Sequence, residues 1–337
     1  MSGYTNPDPC SVEENGRTYS GYREGKYLLP NDGPEQDRLD LEHRIWCLLL
    51  DEALYLAPFK ETKSEKETKK EDDDDDDAAA DDDRVYHVLD IGAGTGVWAA
   101  ELARENPDVR VIGTDLSLIQ PPPDKLPPNC RFVREDSEAD EWVHEAEFDY
   151  IHTRAMLGSF FDHKAMFKKM YDNLRPGGWC EAQDWSYDMV AADAATEAML
   201  PDSSVIKWQD LMDEGIKMAG RDLRVAKHYE HWMNETGFVD VMQKLILCPI
   251  NPWPLDPKDK EIARYFIEDT IEALEGMSMK ILQLKGMTPE EIRALTDKVK
   301  QELTNRDLHA YTPVYVVYGR RPLDGKTDQT GSYPSPS

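Results

Sequence analysis

The chain has 337 residues, 40% of them hydrophobic, enough to bury a full core in one large domain or two small ones. Its 67 acidic residues outweigh 39 lysines and arginines, and a net charge of −28 disfavours nonspecific binding to a nucleic-acid backbone. No apolar run reaches the ~18 residues of a membrane span, "MSGYTNPDPC" is not a signal-peptide start, and five scattered cysteines give neither zinc spacing nor a disulfide frame. The expectation is an intracellular protein, cytoplasmic or nuclear, with no metal and no direct nucleic-acid contact.

Residues 1–14 carry no periodic pattern and are expected to be disordered. Within 15–59 the segment "DRLDLEHRIWCLLLDEALYLA" has helical spacing. The tract from Lys60 to Asp83 holds 13 acids and 5 lysines, −8 of the net charge, and has almost nothing to bury. It reads as a disordered insertion inside the domain, either a tolerated solvated loop or an acidic arm for a basic partner.

The next stretch, "HVLDIGAGTGVWAAELA", reads as strand, tight turn and helix. Gly92, Gly94 and Gly96 sit at the joint, where positive φ and the missing Cβ let a ligand approach the backbone. A phosphate loop would require Gly-Lys-Ser/Thr, and a dinucleotide fingerprint would place its third glycine at position 97, which is Val97. Read with Asp90, the pattern D-x-G-x-G-x-G resembles motif I of the class I methyltransferases that bind S-adenosylmethionine. A second strand, "VRVIGTDLS", ends at Asp115 and Leu116, where an acid can accept both ribose hydroxyls. A third, "CRFVREDS", ends at Glu135 and Asp136, where a carboxylate can accept from an adenine amino group. "EFDYIHTR" is a fourth strand, and "LRPGGWCEAQDW" is a turn into a fifth, with 84–185 forming the cofactor-binding core. Three acids at three strand ends fall on the C-terminal edge of a parallel sheet, the edge where open α/β sheets bind ligands.

Residues 186–236 are helical and rich in methionine and tryptophan, a pattern expected to build a lid over an acceptor. Residues 237–323 supply strand six, two helices and a last strand, "YTPVYVVYGRRP", expected to pair antiparallel at the sheet edge. The polar tail 324–337 is expected to be disordered.

The phrases "GRTYSGYREGKYLLPNDGPEQDRLDLEH", "VIGTDLSLIQPP", "FDYIHTRAMLGSF", "LRPGGWCEAQD", "INPWP" and "YTPVYVVYGRRP" closely resemble the fungal LaeA-like methyltransferases from about Asn15 to Pro322. The resemblance implies an α/β class I methyltransferase fold: a Rossmann-like, seven-stranded, mostly parallel sheet with an antiparallel last strand, helices on both faces and a helical lid. It implies S-adenosylmethionine as cofactor, with Asp90, Gly92, Gly94 and Gly96 as motif I, Asp115 with Leu116 at the ribose, and Asp136 with Ser137 at the adenine. Arg154 follows strand four, where the methionine moiety usually lies, and "YREGKY" is expected to fold back as a cap with Tyr27 in contact. It also implies regulatory partners of the velvet or zinc-finger type.

Methyl transfer is chiefly alignment by the protein, with a base needed only where the acceptor must lose a proton. His152 is the first candidate, followed by His228 and His231 in the lid. Three readings stay open: a protein methyltransferase within a complex regulating secondary metabolism or development, a small-molecule O- or N-methyltransferase, and a binding module without turnover.

Overall fold

A computed structural model describes residues 8, 10–23, 25–60, 84–139, 141–144 and 146–323. Most of the acidic tract (61–83) and the tail lie outside the described residues. Ser11–Glu14 (β1) pairs with Arg17–Ser20 (β2) in an antiparallel hairpin, so the stretch expected as a disordered start contributes a strand. The positive φ of Asn15 and Gly16 makes the turn between them. The cap region then carries one helix among the described residues, Gly33–Leu49 (α1), begun by Asp32 accepting from the Glu35 N–H at 3.2 Å and by Pro34 in the first turn.

The central sheet is built from Tyr86–Ile91 (β3), Val109–Asp115 (β4), Cys130–Arg134 (β5), Phe148–Arg154 (β6) and Leu174–Trp185 (β7). Four parallel pairings run through them, in the order β5-β4-β3-β6-β7. Ala310–Arg320 (β10) pairs antiparallel with β7 on one side and with Val239–Pro249 (β9) on the other. The last strand is therefore interior, not at the edge as expected: its valines are wholly buried, and β9, with Leu245 and Leu247 exposed, takes the edge. A two-residue strand, Val190–Ala191 (β8), continues beside the start of β10 and makes the sheet eight-stranded.

Helices cover both faces because both faces of a parallel sheet are apolar. Val97–Glu105 (α2) lays Trp98, Ala99 and Leu102 over Val88, Val111 and Tyr150. His163–Asn173 (α3) presents Met166, Phe167 and Met170 to Leu89, Ile91 and Ile151 on the opposite face. After β8 come Ala194–Met199 (α4), Ser204–Met218 (α5) and Tyr229–Thr236 (α6). After β9 come Pro257–Leu284 (α7) and Pro289–Leu303 (α8). Helices α5, α7 and α8 share one core over the C-terminal ends of the strands, with Trp208, Met212, Leu274 and Ile292 buried in it. Among the described residues no helix is long and apolar enough to cross a membrane.

Candidate functional site

β3 delivers Asp90 to the C-terminal edge, and the chain turns through Gly92, Gly94 and Gly96 with φ of +72°, +55° and +80°. A Cβ on Gly92 would lie 2.2 Å from the Met156 sulfur, and one on Gly96 2.3 Å from the Phe132 ring, so space and backbone both demand glycine there. The Gly92 and Ala93 N–H groups donate to the Thr114 carbonyl at 2.9 and 3.0 Å, fixing the turn to β4.

Asp115 ends β4. Its carboxylate accepts from the Gly94 N–H at 2.9 Å and the Ser117 N–H at 2.8 Å, and it forms no ion pair among the described residues. Burial pushes its pKa up to about 6. Each oxygen keeps acceptor capacity beyond its one backbone donor, which suits a ligand offering two hydroxyls. Leu116 beside it is half-buried, and its carbonyl accepts from the Ser20 hydroxyl at 3.5 Å.

Asp136, beyond the end of β5, is buried and accepts from the Glu138 N–H at 3.0 Å. The cap segment reaches it: Lys26 Nζ lies 2.9 Å and Arg23 Nε 3.3 Å from its oxygens. The cap thus crosses the ends of the strands, and the acid expected at an adenine is already held by two cations. The neighbouring Ser137 carbonyl accepts from Trp142 Nε1 and Lys169 Nζ, both at 2.9 Å. Tyr27 follows on the cap, its phenol raised well above its ordinary pKa by burial.

Arg154 ends β6 and donates to His43 Nδ1 at 2.8 Å, with its guanidinium 5.9 Å from the Trp46 ring centroid. An arginine only donates, so His43 Nδ1 accepts and its proton sits on Nε2, which donates to Glu101 at 2.9 Å. Burial first, and then Arg154, hold the His43 pKa below the usual histidine range. His43, Cys47 and Glu101 bring possible ligand atoms within 4.8 Å of one another. With its proton on Nε2, the imidazole has no lone pair to offer an ion there, and the set does not suit a metal.

His152, the first candidate base, is 0% exposed. Its Nδ1 lies 2.8 Å from Asp90 Oδ1, and its ring stacks on Trp98 at 3.7 Å between centroids. Trp98 of α2 covers it and it is not in the wall of the cavity beside the glycine turn, so its geometry makes it a positioning partner of Asp90, not a base. His228 packs on Trp232, and His231 is exposed beside Glu235.

A cavity of about 210 Å³ adjoins the glycine turn. Leu39 in its wall would lie 3.5 Å from a Cβ on Gly94, and Ala155 and Leu157 in its wall flank Met156, the residue against Gly92. Ala155 has φ +55°, a strained conformation of the kind that collects at functional sites. Asp184 holds this bend: it accepts from the Met156 and Leu157 N–H groups, both at 3.2 Å, and from the Tyr229 hydroxyl at 2.9 Å. Burial pushes its pKa up to about 7. The expected lid supplies Tyr187, Trp208 and Met212, while Phe266, Ala273 and Met277 of α7 form a wall that sequence reasoning missed. The cavity also receives Arg38, Glu42 and Asp269, a charged group likewise missed. Its signal was present in α1, where Glu35, Arg38 and Glu42 fall on the same helical stripe as Ile45, Trp46 and Leu49.

The family model described as a methyltransferase domain matches residues 42–243. The chain is 33% identical over 92% of its length to the methyltransferase pytC of Aspergillus terreus, covering 87% of that protein. It is 32% identical to the secondary metabolism regulator LAE1 of Cochliobolus heterostrophus, covering 92% of this chain and 94% of that one. It is 30% identical to the protein-methionine methyltransferase laeA of Emericella nidulans, covering 92% and 76%.

Proposed function

The chain belongs to the methyltransferase-domain family, among its fungal LaeA-like members, and from that premise we propose that it moves a methyl group from S-adenosylmethionine to a nucleophile seated in the adjoining cavity. S-adenosylmethionine supplies a methyl group made electrophilic by its sulfonium. The chain binds, orients and excludes water. The observation that carries the reading is Asp115, a carboxylate with no cation among the described residues and with acceptor capacity left on each oxygen, beside the bare backbone of Gly92 and Gly94. In this reading Asp115 and Leu116 hold the ribose, and Asp136 and Ser137 the adenine end once Lys26 and Arg23 share or yield the carboxylate. Asp90 and the glycine turn, with Arg154 and Tyr27, flank the methionine end.

Titration calorimetry with S-adenosylhomocysteine tests it. The chain is expected to bind, and Asp115→Ala to weaken binding about 100-fold, the loss of two hydrogen bonds to a charged group. No binding by the unaltered chain overturns the reading.

The names of two relatives, a secondary metabolism regulator and a protein-methionine methyltransferase, favour a second reading, a regulatory role with a protein acceptor such as a methionine side chain. Incubation of the chain with isotope-labelled S-adenosylmethionine, followed by peptide mass spectrometry, would place label on this chain or on a co-purified partner. Label on neither overturns the protein-acceptor reading.

A further inference from the structure

The cavity beside the glycine turn is apolar over most of its wall, with polar groups at few places. Arg38 is buried in α1 and donates to Glu35 through Nε and Nη2 at 2.9 and 2.7 Å, and through Nη1 to Glu42 at 3.0 Å and Asp269 at 2.9 Å. One guanidinium therefore serves three carboxylates, and the cluster carries an excess of negative charge when all are ionised. Glu42 is further engaged by Trp185 Nε1 at 2.8 Å and Trp46 Nε1 at 3.4 Å. Asp269 is not: only its Oδ1 is bonded, to Arg38, and Oδ2 has no hydrogen-bond partner among the described residues although Asp269 lines the cavity.

A second, independent observation lies on α5. Gln209 also lines the cavity and is only 7% exposed, yet its amide has no hydrogen-bond partner among the described residues. Both groups open on the cavity, and two unpaired polar groups in one largely apolar wall mark a place for a ligand's polar group.

We propose that this cavity takes a small, largely apolar acceptor of one or two rings that carries an O–H or N–H donor, recognised by the open oxygen of Asp269 with Gln209 as a second polar contact. The inference rests on the methyltransferase reading and names a small-molecule acceptor in place of the protein acceptor. The size follows from the volume: a cavity of ~150 Å³ in another protein takes benzene, and this one is larger. The choice of a donor follows from the geometry: Arg38 holds Oδ1 and leaves Oδ2 open in the wall, an acceptor whenever the carboxyl is ionised. Burial raises the Asp269 carboxyl to about 8, with Glu42 and Glu35 adding to the shift and Arg38 opposing it, so the donor preference belongs to the ionised form above that pH. A neutral acceptor-only ligand leaves that oxygen unpaired, whereas a donor satisfies it.

The test uses the full chain saturated with S-adenosylhomocysteine at about pH 9, where Asp269 is ionised, titrated calorimetrically with 2-naphthol and with 2-methoxynaphthalene, which has the same rings but no donor. The expected result is 2-naphthol binding at least tenfold tighter. In Asp269→Asn, Arg38 holds the amide oxygen and turns the NH₂ to the cavity, so the preference falls below about threefold. Ala273→Phe, which fills the cavity from α7, abolishes binding of both probes, with its thermal melt confirming that it folds. Equal binding of the two probes, no binding of 2-naphthol, or binding that survives Ala273→Phe overturns the inference. The wild-type comparison decides even where a variant fails to fold. Failure to bind S-adenosylhomocysteine in the first step sinks the cofactor reading instead, so the two failures are distinct.

Discussion

Asp90 and His152 are register partners on adjacent parallel strands, joined by a 2.8 Å hydrogen bond between the carboxylate and Nδ1, with both side chains shut away from solvent. Trp98 stacks on the imidazole at 3.7 Å and closes it from the helix side. The pair holds the motif I acid at a fixed height under the glycine turn. His152→Phe keeps a flat ring against Trp98 but leaves the buried Asp90 without its donor. It is expected to lower stability by about 2–3 kcal/mol in urea unfolding, the cost of an unsatisfied buried charged acceptor. A stability unchanged within about 0.5 kcal/mol would show that the pair does not hold Asp90.

What the sequence made legible and what it did not divides along local and long-range lines. The strand ends at Asp90, Asp115 and Arg154 were readable because apolar runs, glycines and acids follow one another within a few residues. Three roles that chain order does not carry were missed. β10 has the look of an edge strand until β9 pairs on its far side, and its buried Val314, Val316 and Val317 were the available clue. His152 has a base's position in the chain and a core residue's surroundings, which only Trp98 on a separate element reveals. Asp269 lies more than two hundred residues from Arg38, its partner, and no local pattern joins them.

Asp115 predicts a pH dependence of cofactor binding. Burial lifts its pKa to about 6, so the folded chain without ligand favours the protonated carboxyl. Its own contribution to stability is thus present in acid and lost as pH climbs through about 6. Hydroxyl donors require the ionised form, so binding expels the proton below that point. Affinity for S-adenosylhomocysteine is expected to be flat from pH 7 to 8 and to fall by up to about tenfold per pH unit below 6. Calorimetry across that range checks it, and an affinity level down to pH 5 would remove Asp115 from the site.

Tyr229 and Asp184 set the bend between the turn and the cavity, and their coupling has a sign that can be measured. The raised pKa of Asp184, about 7, means that its carboxyl is protonated in mild acid and its stability contribution is lost as pH rises through 7. Tyr229→Phe deletes a 2.9 Å hydrogen bond to that carboxyl. Its cost is expected to be about 1 kcal/mol at pH 5, where the acceptor is neutral, and about 2 kcal/mol at pH 8, where it is charged. Urea unfolding at the two pH values gives the difference, and a larger cost at pH 5 would contradict the assignment.

Gly92→Ala tests why the turn is bare. Two separable costs are expected: about 1 kcal/mol for a side chain at φ +72°, and about 1–3 kcal/mol for the overlap with Met156, whose sulfur would lie 2.2 Å from the new Cβ. Met156→Ala makes room for the methyl group but leaves the backbone strain. In a double-mutant cycle on urea stability, the pair should therefore cost at least about 1 kcal/mol less than the sum of the singles, while the strain portion persists. The same cycle read by S-adenosylhomocysteine affinity separates packing from ligand approach. Restored stability with affinity still reduced means that the added methyl group itself meets the ligand, which is the expected outcome for a glycine that lies against the cofactor. Strict additivity in stability would show that Met156 moves away freely and that only φ reserves the position for glycine.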